Sequence, residues 1–191
     1  MATKVAIIYY SMTGTIDTMA RRLAATAEEQ GAEVRLLAVG REDAAGAEGS
    51  TDRPQEPTAD DMEWADVVLF GSPSRYGNVA GRLKVFIDSL GGLWAKGLLA
   101  DKVYAGFTAS QTLHGGQEAV LLSLYTTIHH FGGIVVTPGY TDGSKFVDGN
   151  PYGVGHVTGG GNDAPVDDVT NGALDHMVTR AISVSRKLTA A

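Results

Sequence analysis

Residues Ser11 to Thr18, "SMTGTIDT", carry four hydroxyls and one glycine, with no lysine or arginine among them. They follow the apolar run "KVAIIYY" at 4–10 and lead into a stretch of helical spacing. Hydroxyls and free amides at a helix start hold a phosphate through hydrogen bonds and the helix dipole, with no cation required. The same residue types also cap helices, so Ser11, Thr13 and Thr15 taken alone fit either use. Two other phosphate motifs are missing. There is no Gly-Lys pair for a Walker loop, and Gly14 stands alone where a dinucleotide fingerprint needs three spaced glycines.

Two more loops follow apolar runs in the same way. "SPSRYGNVAG" comes after "ADVVLFG" at 65–71, and "ASQTLHGG" comes after "KVYAGFT" at 102–108. In the first, Tyr76 suits the apolar face of a ring. Arg75 suits anionic oxygens, and a solvated loop arginine is the plainer alternative. In the second, Gly115 and Gly116 allow close backbone approach to a flat ligand, or simply make the turn. His129 and His130 are adjacent on a helical stretch and point about 100° apart, which argues against a shared metal. The chain has no cysteine, so disulfides, thiolate metal sites and cysteine nucleophiles are excluded. No Ser-His-Asp arrangement stands out.

The elements that must position these loops alternate in type. Apolar runs of strand composition fall at 4–10, 33–39, 65–71, 102–108 and 133–139. Between them, Ile16, Met19, Ala20, Leu23, Ala24 and Ala27 mark one helical face. Helices are also predicted at 79–90, 117–131 and 167–188, with a short helical turn at 59–64. Strands alternating with helices give right-handed βαβ units. The expected fold is therefore an α/β three-layer sandwich, a five-stranded parallel sheet with helices on both faces. Ligands in such a fold sit beyond the carboxyl ends of the strands, where the three loops lie.

Residues 40–58 are polar and rich in Gly, Ala and Pro, which reads as a variable surface loop. Residues 139–166 form a glycine-rich segment before the last helix. The helix at 117–131 is apolar almost all round, with Ala119, Leu122, Leu124 and Ile128 on different faces. That predicts burial on two sides, either under the glycine-rich segment or at a subunit interface. At 191 residues the chain reads as one domain, 1–191, and a net charge of -7 argues against nucleic-acid binding. No apolar stretch is long enough for a membrane span, and the expected location is the cytoplasm.

The phosphate-type loop "YYSMTGTIDTMA" resembles that of flavodoxin-like FMN proteins. "GSPSRYGNVAGRLKVFIDSLGGLW", "HGGQE" and "NPYG" resemble, in order, blocks of the WrbA family of NAD(P)H:quinone oxidoreductases. This resemblance implies a flavodoxin-like fold, FMN as cofactor, NADH or NADPH as co-substrate, quinones as acceptors and a homotetramer. By position it implies that Ser11, Met12, Thr13, Gly14, Thr15 and Ile16 hold the FMN phosphate. Ser74, Arg75 and Tyr76 are implied to line the ribityl chain and ring, and Ser110, Gln111, Thr112, Leu113, His114 and Gly115 to form the third wall. Trp94 takes the family's substrate-stacking position. His130 takes its histidine position, beside the cofactor and acting on the substrate oxygen. Thr13 stands where well-known members have a tyrosine linked to nicotinamide binding. Loop 107–116 is one residue longer than in some relatives, and Phe131 replaces a second histidine. An electron-carrying flavodoxin or an FMN-binding regulator are the alternative functions for the same fold.

Overall fold

The computed structural model describes residues 1–40 and 54–190. Most of the surface loop expected at 40–58 lies outside the described residues. Four parallel strands form the body of the sheet: β1 (Lys4–Tyr9), β2 (Glu33–Ala38), β3 (Val67–Pro73) and β4 (Val103–Ser110). Their spatial order is β2-β1-β3-β4. Successive residues of a strand point to opposite faces, so a strand buried on both sides must be apolar throughout. In β1, Val5, Ile7 and Tyr9 meet α1 (Thr15–Glu29) and α7 (Asp168–Thr189). Ala6 and Ile8 meet the opposite layer, which contains α2 (Ala59–Trp64), α3 (Gly81–Ser89), α4 (Gly91–Ala95) and α5 (Gln117–Phe131). This is the expected three-layer sandwich. Truncating a buried side chain such as Ile7 to alanine costs about 2–5 kcal/mol in sites of this kind.

The fifth strand position departs from expectation, because two separate pieces fill it. β5 (Ile134–Val135) pairs with Val103 and Tyr104 at the start of β4. β6 (Val154–Val157) pairs with Phe107 to Ser110 at its end. The run at 133–139 does not continue as a strand. Val136 still donates to the Tyr104 carbonyl at 2.8 Å, but Pro138 has no N–H to give and Gly139 turns the chain at φ 55°. The glycine-rich segment therefore contains a strand, and also the short helix α6 (Gly143–Asp148).

A buried ion pair anchors the return into β6. Lys145 is fully buried against Asp148, and its Nζ donates to the Gly153 carbonyl at 2.9 Å. Burial pushes the ammonium pKa down, and Asp148 pushes it back up. A charge this deep is tolerated only with such partners. The Tyr125 hydroxyl also donates to the Tyr152 carbonyl, and Leu121 packs so near Gly153 that a Cβ there would lie 2.9 Å from its Cδ2. The glycine-rich segment thus covers one side of α5. The other side is uncovered within one chain, where Ala119 is exposed and Leu122 is 47% exposed. No helix among the described residues is long and apolar enough to cross a membrane.

Candidate functional site

The three loops after β1, β3 and β4 converge on one cavity of about 490 Å³ beyond the carboxyl ends of the strands. Its first wall is Ser11, Met12, Thr13, Thr15 and Ile16. Gly14 makes the turn into α1 at φ 97°, a conformation that favours glycine. It occupies the capping position itself, and no side chain caps the helix. Ser11 Oγ accepts from the Gly14 N–H at 3.2 Å, bracing the loop. Among the described residues, the hydroxyls of Thr13 and Thr15 have no partner. The first-turn N–H groups of α1 have no intrahelical acceptor either. Capping, the alternative use of these hydroxyls, is therefore not what they do. Asp17, the one acid of the first turn, is engaged by the Tyr9 hydroxyl and by Arg21 Nε at 2.8 Å.

The second wall is a tight hairpin. Arg75 and Asn78 exchange backbone hydrogen bonds of 2.9 and 3.0 Å around Tyr76 and Gly77, whose φ angles are 55° and 78°. Two central residues at positive φ are the signature of a type I′ turn. Glycine takes that conformation freely, whereas tyrosine is strained in it. The strained Tyr76 lines the cavity with its side chain entirely exposed. Arg75, the one cation bordering the cavity among the described residues, lays Nη2 3.2 Å from Met12 Sδ on the first wall.

The third wall is locked to the second. Ser74 Oγ donates to the Gly115 carbonyl at 2.5 Å and accepts from the Gly77 N–H at 3.1 Å. Gly116 starts α5 at φ 81°, and a Cβ there would lie 2.6 Å from Gly77 Cα. Ser110, Gln111, Thr112 and Gly115 line the cavity, whereas Leu113 and His114 are exposed and do not. Gln117 Nε2 donates to Ser110 Oγ at 2.9 Å and to the His156 carbonyl at 3.1 Å, stapling β6 to β4. Gly155 leaves room for this side chain, since a Cβ there would meet Gln117 Oε1 at 1.9 Å.

Trp94 and His130 lie together, but away from this cavity. The Trp94 indole Nε1 donates to the His130 carbonyl at 2.8 Å, and the ring is 55% exposed. Gln117 begins α5 at the cavity, and His130 is near the far end, about 20 Å along the helix axis at 1.5 Å per residue. Sequence reasoning also missed two residues of the cavity, Thr158 and Asn162, which follow β6. The signal available was a polar pair flanking three consecutive glycines after a short alternating "VGHV".

The cavity fits FMN. Its volume is in the range of small-molecule sites. Unpartnered hydroxyls and amides at one end suit a phosphate, and an exposed aromatic with loop amides at the other suits a flat ring. Comparison with known proteins points the same way. The model of the NADPH-dependent FMN reductase family matches residues 3–146. A Deinococcus radiodurans protein named NAD(P)H dehydrogenase (quinone) is 41% identical over 198 residues, covering 97% of this chain and 96% of its own length. A Sinorhizobium fredii protein of the same name is 41% identical over 167 residues, covering 82% of this chain and 84% of its own. The crystal structure of a flavodoxin, WrbA-like protein from Agrobacterium tumefaciens superposes with a TM-score of 0.73 at 22% identity, covering 97% of this chain and 99% of that one.

Proposed function

Since the chain belongs to the NADPH-dependent FMN reductase family and is 41% identical to proteins named NAD(P)H dehydrogenase (quinone), we propose that it is an FMN-dependent NAD(P)H dehydrogenase of the WrbA type, reducing quinones to quinols. The observation that carries this reading is the first wall: a helix start with glycine at the capping position, and with Thr13 and Thr15 unpartnered among the described residues at the mouth of β1. Bound FMN would supply the two-electron chemistry, hydride being taken up from the nicotinamide and two electrons with two protons being delivered to the quinone.

The chain's own residues do the rest. Thr13, Thr15 and the first amides of α1 hold the phosphate. Tyr76 covers a face of the ring, and its strained hairpin sets the ring position before the ligand arrives. Arg75 brings a positive charge that favours an anionic, reduced ring. Amides of Ser110 to Gly115 meet the ring's polar edge. Nicotinamide nucleotide and quinone use the same ring face in turn, a ping-pong order.

Trp94 and His130 act on the substrate from a second copy of the chain. They are fixed to one another and lie off their own cavity, and the uncovered Leu122 side of α5 supplies an apolar contact. The working unit is then a homotetramer of one-domain chains in the cytoplasm. In it Trp94 stacks on quinone or nicotinamide, and His130 hydrogen-bonds the substrate oxygen beside the cofactor.

Steady-state turnover of the FMN-loaded protein with NADH, NADPH and benzoquinone tests the activity. Quinol formation with parallel double-reciprocal lines is expected. No turnover with either nucleotide overturns the enzyme reading and leaves an electron carrier. Light scattering tests the assembly, and a monomeric mass overturns the role given to Trp94 and His130.

A further inference from the structure

The turn after β6 contains a cavity residue in an unexpected conformation. Gly159, Gly160 and Gly161 precede Asn162, yet Asn162 is the residue at φ 56° that faces the cavity. Asparagine tolerates the left-handed region better than most residues, but glycine adopts it at less cost. Three glycines stand beside it, so the backbone alone does not require a side chain here.

The carboxamide oxygen also meets a hydroxyl. Thr158 is buried, and its hydroxyl lies 3.1 Å from Asn162 Oδ1. A second acceptor, the Ser110 carbonyl, is farther from that hydroxyl at 3.3 Å and already accepts from the Thr158 N–H at 2.8 Å. Asn162 Oδ1 is the nearest of the acceptors around that hydroxyl, the Gly159 carbonyl lying farther still at 3.5 Å. Asn162 Nδ2 is left with two protons and no acceptor among the described residues. The turn itself is closed by Asn162 N–H to the Gly159 carbonyl at 3.1 Å and Ala164 N–H to the Thr158 carbonyl at 3.0 Å.

From this geometry we infer that Asn162 is a cofactor-binding residue, its Nδ2 donating to the polar edge of the flavin ring, with Thr158 as its positioning residue. The turn is joined to Ser110, so it borders the wall assigned to that edge. A donor at the polar edge binds the reduced, more negative ring better than the oxidised one. The inference rests on the reading of the cavity as an FMN site.

The test is titration of apoprotein with FMN, followed by the two-electron midpoint potential of each holoprotein. Asn162→Gly keeps the backbone conformation and deletes the donor. It is expected to weaken FMN binding about five- to tenfold, the size of one net hydrogen bond. Asn162→Asp keeps the acceptor for Thr158 and places a negative charge at the ring. It is expected to weaken FMN further and to lower the potential by about 30 mV, a tenfold greater loss for the reduced form. Thr158→Val should shift binding and potential in the same direction by less, and Thr158→Ser should restore both. Wild-type affinity and potential in both Asn162 variants overturn the inference while the FMN site stands. So does tighter binding by Asn162→Asp, which would mean that the carboxamide oxygen faces the ring. No FMN binding by the wild type overturns the site reading, and this inference with it.

Discussion

The two ends of the cavity solve the problem of presenting polar groups to a ligand by opposite means. At the β1 end the chain leaves groups unsatisfied: a glycine takes the capping position, and Thr13 and Thr15 have no partner among the described residues. At the β6 end almost everything is already bonded. Thr158 is tied to Ser110 and Asn162, Gln117 staples His156 to Ser110, and His156 Nδ1 lies 3.2 Å from the Thr170 hydroxyl of α7. The first arrangement is open to any oxyanion of suitable size. The second fixes one donor in one direction. In the proposed FMN site, affinity for a phosphate group and orientation of a ring therefore have separate structural sources.

Four substitutions probe that separation, beginning with the largest effect. Gly116→Ala forces a Cβ into Gly77 and places alanine at φ 81°, so the second and third walls cannot close together. A stability loss of about 2–3 kcal/mol is expected from strain and clash combined, read by urea denaturation, with FMN affinity falling alongside. Thr15→Val touches only the β1 end. It should weaken FMN about tenfold or more while leaving riboflavin binding unchanged, because riboflavin has no phosphate. Equal losses for the two flavins would dissolve the distinction between the ends.

Gln117→Met removes the staple at the other end and leaves its volume filled. The expected cost is about 1–2 kcal/mol, with riboflavin and FMN weakened to the same degree. Smallest is the contact that joins the helices behind both ends. Asp175 of α7 accepts from Arg22 at 2.5 Å and from Thr26 at 2.6 Å, both on α1. Burial raises its pKa, but those hydrogen bonds and the Arg22 charge outweigh it and hold the carboxyl below its ordinary 3.8. The folded form thus binds this proton more weakly than the unfolded form. Its stabilisation is complete above that ordinary value and is lost as pH falls through the lower folded value. For a half-exposed pair the expected advantage over Asp175→Asn is about 0.5 kcal/mol at neutral pH. It should vanish in acid thermal melts.

Much of this was legible beforehand, for a physical reason. β1, β3 and β4 are buried on both faces, so their sequences are continuous apolar runs, and α1 shows its buried face at three- and four-residue intervals. The loops after them were located by composition. β6 was not legible, because four residues including a necessary glycine carry too little pattern. Asn162 was hidden for the same reason: its side chain matters through a turn that only the β6 pairing brings to the cavity. Leu113 and His114 were placed by position in a loop whose register the sequence leaves open, and they are exposed beside the cavity without lining it. The separation of Trp94 and His130 from their own cavity follows from the length of α5, which spacing alone does not connect to a site.

The divided fifth strand also has a consequence for the order in which the molecule is completed. β1 to β5 use only the first 135 residues and already include the phosphate loop, the Tyr76 hairpin and the third wall. β6 joins β4 across a sequence separation of 47 residues, after Lys145 of α6 has found its buried place. Contacts that distant close slowly, since chain entropy must be overcome before they contribute. A chain emerging during synthesis therefore acquires the β1 end of the cavity first. The turn that carries Thr158 and Asn162 is added only when the chain's last fifth is available.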